Sequence, residues 1–190
     1  MIRLAAVCLI LSLLCGCSLE NPELHQAMDL RARLLQAEGC SFDALITADY
    51  GDSVQNFSVT CQADSQGSLR FTVTEPETIK GISGTLSQQG GQLTFDDKVL
   101  AFPYLTDDQL SPVSAPWVFL STLRSGYLTA AGKEGEQIRI LAKDSYQERA
   151  LHVDIWLEPG AVPCRSEILY NGRRILTLEI QNFRLKASHE

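Results

Sequence analysis

Residues 40–75 read CSFDALITADYGDSVQNFSVTCQADSQGSLRFTVTE, and apolar side chains alternate with polar ones along three runs of this segment. The runs cover 41–50, 53–62 and 69–74. A period of two is typical of strands that bury one face and expose the other. Gly51-Asp52 supplies a turn between the first two runs. The segment therefore predicts an antiparallel meander.

A helix precedes this meander, and a second helix interrupts the strands that follow it. Asn21-Pro22 is a typical N-cap with proline in the first turn. This helix is expected to run to about Glu38, with Gly39 just past its end. Pro116–Ser125, followed by Gly126, predicts the second helix. The first helix has a broad apolar stripe and the second is apolar nearly all round, so both should pack on other elements.

Strand-like alternation continues on both sides of the second helix. A loop is expected over 105–115, and further strands are expected at 79–86, 92–96, 98–102, 127–131, 136–143, 149–157, 164–170 and 173–185. Gly81 and Gly84 lie inside a predicted strand, where glycine marks a bulge or the close approach of another group. About ten or eleven strands with segregated helices predict an α+β fold. We expect a large curved antiparallel sheet covered by the N-terminal helix and the central helix.

The first residues have the features of a bacterial lipoprotein signal peptide. Arg3 precedes the apolar run Leu4–Leu14, which is shorter than the roughly 20 residues that a spanning helix needs. Leu14-Cys15-Gly16-Cys17 matches the lipobox, so cleavage after Gly16 should leave Cys17 as the lipidated N-terminus. The alternatives are an ordinary secretory signal or a short membrane anchor. The prediction is a lipid-anchored protein on the outer face of a bacterial cell membrane.

Three cysteines remain beyond the lipobox. A turn centred near position 50.5 places Cys40 opposite Cys61, at a separation near disulfide range. An extracytoplasmic location would allow such a bond to persist. We therefore predict a Cys40–Cys61 disulfide, with two buried thiols as the alternative. Cys164 is expected to be a half-buried strand residue.

Charge and motifs exclude several classes of function. Lys and Arg number 16 against 23 Asp and Glu, a net charge of −7. Such a chain, without basic clusters, is a poor binder of nucleic acid or of an anionic membrane surface. His25, His152 and His189 have no partner at metal-ligand spacing, and the acidic pairs Asp96-Asp97 and Asp107-Asp108 are typical of solvated turns. We predict that the protein has no enzymatic activity and that it binds neither a metal ion nor a cofactor.

Five features follow one another along the chain. They are the lipobox, the helix ending at Gly39, the hairpin Phe42–Cys61, the run Gly67-Ser68-Leu69-Arg70-Phe71 before Glu75-Pro76, and Pro116-Trp117 in the central helix. In this order they resemble the LolA/LolB-like lipoprotein carrier superfamily, especially its Gram-positive, clostridial GerS-like lipoprotein relatives. The resemblance covers roughly 23–185. It implies an unclosed β-barrel with a helical lid over a hydrophobic cavity that holds acyl chains in the carriers.

The lipobox and the resemblance together divide the chain into four parts. Residues 1–16 would be the signal peptide, 17–22 the lipidated cysteine and a short tether, 23–186 the LolA/LolB-like domain and 187–190 a tail.

Two functional hypotheses remain, and they belong to different classes of protein. The first is binding of a hydrophobic lipid or acyl ligand in a cavity lined by Ile46, Phe57, Phe71, Phe95, Phe102, Trp117, Phe119 and Leu120. These side chains would instead fill a core if no cavity exists, because alternation looks the same in both cases. The second is a non-catalytic scaffold for another envelope protein, such as a cell-wall hydrolase or a germination component, which predicts an exposed patch.

Overall fold

The computed structural model describes residues 21–95, 98–103, 105–106, 109–147 and 150–187. Cys17 and the signal peptide predicted before it lie outside these residues. In the described parts the helices are α1 (Pro22–Gln36) and α2 (Ala115–Ser125). The strands are β1 (Gly39–Asp49), β2 (Val54–Asp64), β3 (Leu69–Glu75), β4 (Ser83–Ser87), β5 (Gly90–Phe95), β6 (Lys98–Phe102), β7 (Leu105–Thr106), β8 (Gln109–Leu110), β9 (Tyr127–Glu134), β10 (Gln137–Lys143), β11 (His152–Glu158), β12 (Val162–Tyr170) and β13 (Arg173–Lys186).

One antiparallel sheet of eleven strands forms the body of the described chain. Its order is β6-β5-β4-β3-β2-β1-β13-β12-β11-β10-β9, and β7 and β8 pair separately within the predicted loop. The first six strands form one meander and the last five another, and β1 pairs with β13 to join them. The two ends of the order, β6 and β9, do not pair, so the sheet is unclosed. The predicted α+β class and strand count are confirmed.

Both helices pack on the same face of the sheet, which we call the inner face. Phe42 of β1 meets Phe119 of α2 edge to face, with ring centroids 5.7 Å apart. Leu30 and Leu34 of α1 join the same buried cluster. The main helix contacts fall on β9–β13, the second half of the sheet. Neither helix has the length and hydropathy to cross a membrane, within the residues described.

The end of α1 differs from the prediction. The helix begins as expected, since the Asn21 side chain accepts a hydrogen bond from the Leu24 N–H at 2.9 Å. It ends at Gln36, however, and the Glu38 N–H donates to the Lys186 carbonyl of β13. Gly39 is the first residue of β1. A Cβ at this position would lie 2.1 Å from the Ala63 carbonyl oxygen. Contact with the neighbouring strand, rather than a helix cap, requires glycine at this position.

The strand predicted over 79–86 is shorter than expected and begins at Ser83. Proline stops β3 after Glu75, and the chain turns through Gly81, whose φ is +87°, before β4 begins at Ser83. Gly84 does allow close approach, as its position in a strand suggested. A Cβ on Gly84 would lie 2.7 Å from Cε1 of Phe71.

The predicted disulfide depends on a turn centre that is wrong by one position, which shifts the cross-strand pairing by two residues. Gly51-Asp52 does form the turn, so it is centred at 51.5 and pairs Cys40 with Ala63 and Cys61 with Phe42. The two cysteines are diagonal neighbours, and such Cα atoms lie about 7–8 Å apart, beyond the usual disulfide range. Both are free and buried. The alternative of two buried thiols is therefore the one observed.

The three free cysteines should differ in their reactivity. Alkylation requires the thiolate, and burial raises the pKa of Cys40 to about 11 and that of Cys61 well above its ordinary value. Cys164 is half-buried on β12, as predicted. At pH 8, iodoacetamide should label Cys164 in the folded protein and label Cys40 and Cys61 at least about tenfold more slowly. Raising the pH should speed the labelling of Cys40.

Peptide mass spectrometry would give the labelling rate of each cysteine. In urea without reductant, all three thiols should react at comparable rates. Failure of Cys40 and Cys61 to react in urea until a reductant is added would contradict the free thiols and restore the disulfide.

Candidate functional site

The inner face of the hairpin β5–β6 is apolar and incompletely covered. The register aligns Phe71, Gly84, Leu93 and Leu100 in one row across four strands. The row starts in the core, where Phe71 is buried, and ends at Leu100, which is 65% exposed. Helix contacts concentrate on the other half of the sheet. The outer part of this half therefore presents apolar side chains without a helix over them.

An open cleft of about 810 Å³ lies over this part of the inner face. One wall is the hairpin β5–β6, which contributes Leu93, Phe102 and the following Pro103. The opposite wall is the segment Leu110–Pro112, which leads into α2. The volume of the cleft falls within the roughly 300–1,000 Å³ typical of small-molecule sites.

The turn between β1 and β2 makes the third side of the cleft, and this side is polar. The turn contributes Asp52 and Ser53 together with the ring of Tyr50, and the start of β2 contributes Gln55. The Tyr50 hydroxyl donates to the Leu110 carbonyl at 2.7 Å and so connects this turn to the wall that leads into α2. Burial raises the pKa of the Tyr50 phenol, which keeps it protonated as a donor. The cleft therefore has an apolar side and a polar end.

The residues predicted to line a cavity separate into three groups. Ile46, Phe57, Phe71, Phe119 and Leu120 are buried in the core, as the core-filling alternative proposed. Phe102 lines the open cleft, and Trp117 lines a different cleft beside α2. Phe95 is 59% exposed and lines neither.

The sequence did not predict several of the residues that line the cleft. Tyr50 and Leu93 sit in ordinary strand-like patterns, and Leu110 lies in the segment predicted as a loop. Their only shared signal in the sequence is apolar or aromatic character, which core residues have as well. Only the strand order brings them to one cleft.

Two arginines hold the helices together at their C-terminal ends. Arg31 of α1 donates through Nε to the Leu123 carbonyl at 2.7 Å and through Nη2 to the Gly126 carbonyl at 2.8 Å. Arg124 of α2 donates in return to the Leu34 carbonyl of α1 at 3.4 Å. Helix C-termini carry partial negative charge and unpaired carbonyls, which both guanidinium groups satisfy. The two helices thus form a fixed cover rather than separate arms.

A cluster of charged side chains on the outer face is structural. Trp156 is 4% exposed because the guanidinium carbons of Arg139 and Arg165 lie 5.0 and 4.8 Å from its ring centroid. The carboxylate of Asp154 pairs with Arg139 at 2.5 Å, and that of Glu167 pairs with Arg165 and with Arg174. These charges complement one another, so the cluster covers the sheet rather than presenting a charged site.

The histidines and acidic residues do not form a catalytic or metal centre in the described parts of the chain. His25 on α1 and His152 on β11 are exposed. No group of three or more His, Cys, Asp or Glu side chains that could hold a metal ion occurs among the residues described. His189 and the acidic pairs Asp96-Asp97 and Asp107-Asp108 lie outside them. The absence of enzymatic activity stays a prediction.

No family model and no curated protein matches this chain. Solved structures do match it at low identity. An uncharacterized conserved protein from Thermus thermophilus aligns over 88% of this chain and 90% of its own, with 12% identity and a TM-score of 0.48. A LolA superfamily protein from Nitrosomonas europaea aligns over 86% and 94%, with 9% identity and a TM-score of 0.48.

A third structure is a putative outer membrane lipoprotein-sorting protein domain from Vibrio parahaemolyticus. It aligns over 89% of this chain and 94% of its own, with 11% identity and a TM-score of 0.46. Similarity at this level does not transfer a function to this chain. The unclosed sheet with two helices, implied by the sequence resemblance, is observed in this chain's own strand order. The narrower GerS-like relationship stays a prediction.

Proposed function

We propose that this protein is a membrane-anchored extracytoplasmic lipoprotein that binds a hydrophobic lipid or acyl ligand in the open cleft. The observation that carries the proposal is the uncovered apolar row that ends at Leu93 and Leu100 on the inner face. Exposed apolar surface of this kind is costly in water and is typical of a binding site. The cleft has the volume for a ligand of this class.

The arrangement of the walls suggests how an amphiphile would lie. Its acyl chain would pack along Leu93, Phe102 and Pro103, while its polar end would face Asp52 and Ser53. Each methylene removed from water contributes about 0.8 kcal/mol. About eight methylenes would thus contribute about 6 kcal/mol, from which the cost of association is subtracted.

The predicted anchor would keep this cleft near its source of lipid. The lipobox predicts a diacylglycerol thioether on Cys17, and α1 begins at Pro22. A tether of four residues reaches roughly 14 Å when extended. The domain would therefore stay beside the outer face of the membrane, within reach of a partly extracted lipid.

Two adjacent residues of β6 allow a matched test of ligand binding. Leu100 and Val99 are 65% and 64% exposed, but they point to the inner and outer faces respectively. Leu100→Asp should weaken binding of a fluorescent fatty acid at least about tenfold, because it would place a charge on the inner face directly beside Leu93, its cross-strand partner in the cleft wall. Val99→Asp should change the affinity less than about twofold, since it adds the same charge outside the cleft.

The measurement is a fluorescence titration of the full chain in phospholipid nanodiscs, in which probe partitioning into the bilayer is common to both variants. Native mass spectrometry of the unaltered protein would identify any lipid that it retains. Equal effects of the two substitutions, or no saturable binding by the parent protein, would contradict the proposal.

A scaffold for another envelope protein is the second candidate function. The edge strand β6 favours it, because β6 is one of the two ends of the sheet order and exposes Val99 and Leu100. Such an edge can accept a strand from a partner, for example from a cell-wall hydrolase or a germination component. Crosslinking from position 99 in cells should then capture a discrete partner even when the protein retains no lipid.

A further inference from the structure

A second cleft, of about 510 Å³, lies beside the C-terminal half of α2. Its sides are the end of α1, the turn between β2 and β3, and the turn between β4 and β5. The proposed lipid ligand does not use it. We call it the glutamine cleft, after Gln66, Gln88 and Gln89, which line it together with Trp117.

The lining of the glutamine cleft is polar but almost uncharged. Besides three carboxamides it presents four serine hydroxyls, and no acidic residue is among its described lining. A carboxamide offers both donors and acceptors, and a hydroxyl does the same. The two apolar contributions are the Trp117 indole and Leu35. Ser87, Ser121 and Ser125 already donate to backbone carbonyls, so their hydroxyl oxygens serve a ligand as acceptors. The cleft therefore offers carboxamide donors and acceptors together with hydroxyl acceptors, beside the Trp117 indole.

Arg124 is the one cation among the described lining residues, and two of its five N–H donors are bonded within the protein. Arg124 donates through Nη2 to the Ser65 carbonyl at 2.7 Å and through Nη1 to the Leu34 carbonyl at 3.4 Å. These bonds hold the guanidinium group against the end of α1 and the turn after β2. An anionic ligand would therefore meet a single cation, held in place and surrounded by uncharged side chains, whereas tight binding of a phosphate or carboxylate draws on several charge-assisted donors.

We propose that the glutamine cleft binds an uncharged sugar. Sugar hydroxyls donate and accept at once, which matches carboxamides and serine hydroxyls, and the C–H face of a pyranose ring can pack on an indole. A purely apolar ligand would instead leave the carboxamides without partners. The sugar's source is a glycan chain or the headgroup of a glycolipid, since both present the same chemistry.

The test uses the full chain in phospholipid nanodiscs, which avoids sugar-containing detergents. Saturation-transfer NMR would measure binding of neutral oligosaccharides of glucose and of N-acetylglucosamine. Nanodiscs that contain a glycosyl diacylglycerol form the second arm. Binding of the soluble oligosaccharides would support a glycan source, and binding of the glycolipid alone would support a headgroup source.

Two glutamines provide a variant and its control. Gln89→Leu should weaken sugar binding at least about fivefold, because it removes a carboxamide and leaves an apolar side chain of comparable volume. Gln55→Leu changes a glutamine of the first cleft and should alter sugar affinity less than about twofold. Trp117→Phe should abolish any sugar-dependent change in tryptophan fluorescence, since Trp156 lies on the opposite face of the sheet.

Three results would overturn the proposal: no transfer to any sugar in either arm, equal effects of the two glutamine variants, or stronger binding of sulfate than of every neutral sugar. The clefts have different linings, so failure of fatty-acid binding would leave this test unaffected.

Discussion

Replacing Phe42 by alanine should lower the free energy of unfolding by about 4 kcal/mol, because it empties the contact between the sheet and α2. Phe42 is 1% exposed. Its ring packs edge to face on Phe119 at 84° and stacks on Phe183 of β13 with centroids 5.9 Å apart. The substitution thus removes two aromatic pairs in addition to buried area, and such pairs contribute about 0.5–1.5 kcal/mol each.

Equilibrium unfolding in urea is the measurement for this prediction. The midpoint should fall while the slope stays unchanged, since the same surface is exposed on unfolding. For a domain of this size the melting temperature should fall by roughly 8–16 °C. Phe95→Ala is the control, because Phe95 is 59% exposed and should change stability by less than about 0.5 kcal/mol. Similar losses in both variants would contradict the placement of Phe42 in the core.

Replacing Arg31 by methionine should cost about 3 kcal/mol, mainly through the loss of the C-terminal cap of α2. Arg31 donates to the carbonyls of Leu123, Thr122 and Gly126. Hydrogen bonds from a charged donor contribute about 1.5–3 kcal/mol each, but Arg31 is only half-buried, so the sum is discounted for solvent. Methionine keeps most of the apolar stem and removes the bonds from Arg31 to all three carbonyls, of which the Thr122 carbonyl keeps its bond from the Gly126 N–H.

Hydrogen exchange would localise the effect of Arg31→Met, and urea unfolding would give its size. Exchange should accelerate most at the last turn of α2 and at Gly126, whose N–H bonds to the Thr122 carbonyl. Arg31→Lys should recover only part of the stability, because an ammonium group cannot reach three carbonyls in a fixed geometry. Arg33→Met on the exposed side of α1 is the control. A loss confined to α1, with α2 unchanged, would refute the capping role.

Much of the local structure was predictable from residues that act over short distances. Alternation along β1, β2 and β3 identified the strands, and Asn21-Pro22 marked the start of α1. The turn at Gly51-Asp52 was also predicted correctly, but its centre was misplaced by one residue. That single step changed the partner of Cys40 from Cys61 to Ala63, because partners across a hairpin depend on its centre.

The candidate site was less predictable. Phe71 and Phe102 occupy equivalent positions in alternating strands, yet one is buried and the other lines the open cleft. The difference follows their place in the sheet, because β3 has a strand on each side and β6 is an edge strand. No local pattern encodes that place. Arg31 likewise looked like a polar residue beside an apolar stripe.

The sequence by itself determined most of the strands, the two helices and the α+β class, and it predicts a lipid anchor. These follow from periodicity, caps and a short motif, all of which act between neighbours along the chain. The tertiary structure decided which part of the inner face stays uncovered, where the two clefts lie and which carbonyls Arg31 reaches. Such features depend on contacts between residues up to 95 positions apart, as between Arg31 and Gly126. Packing of whole elements sets those contacts, and the same local pattern is compatible with many packings.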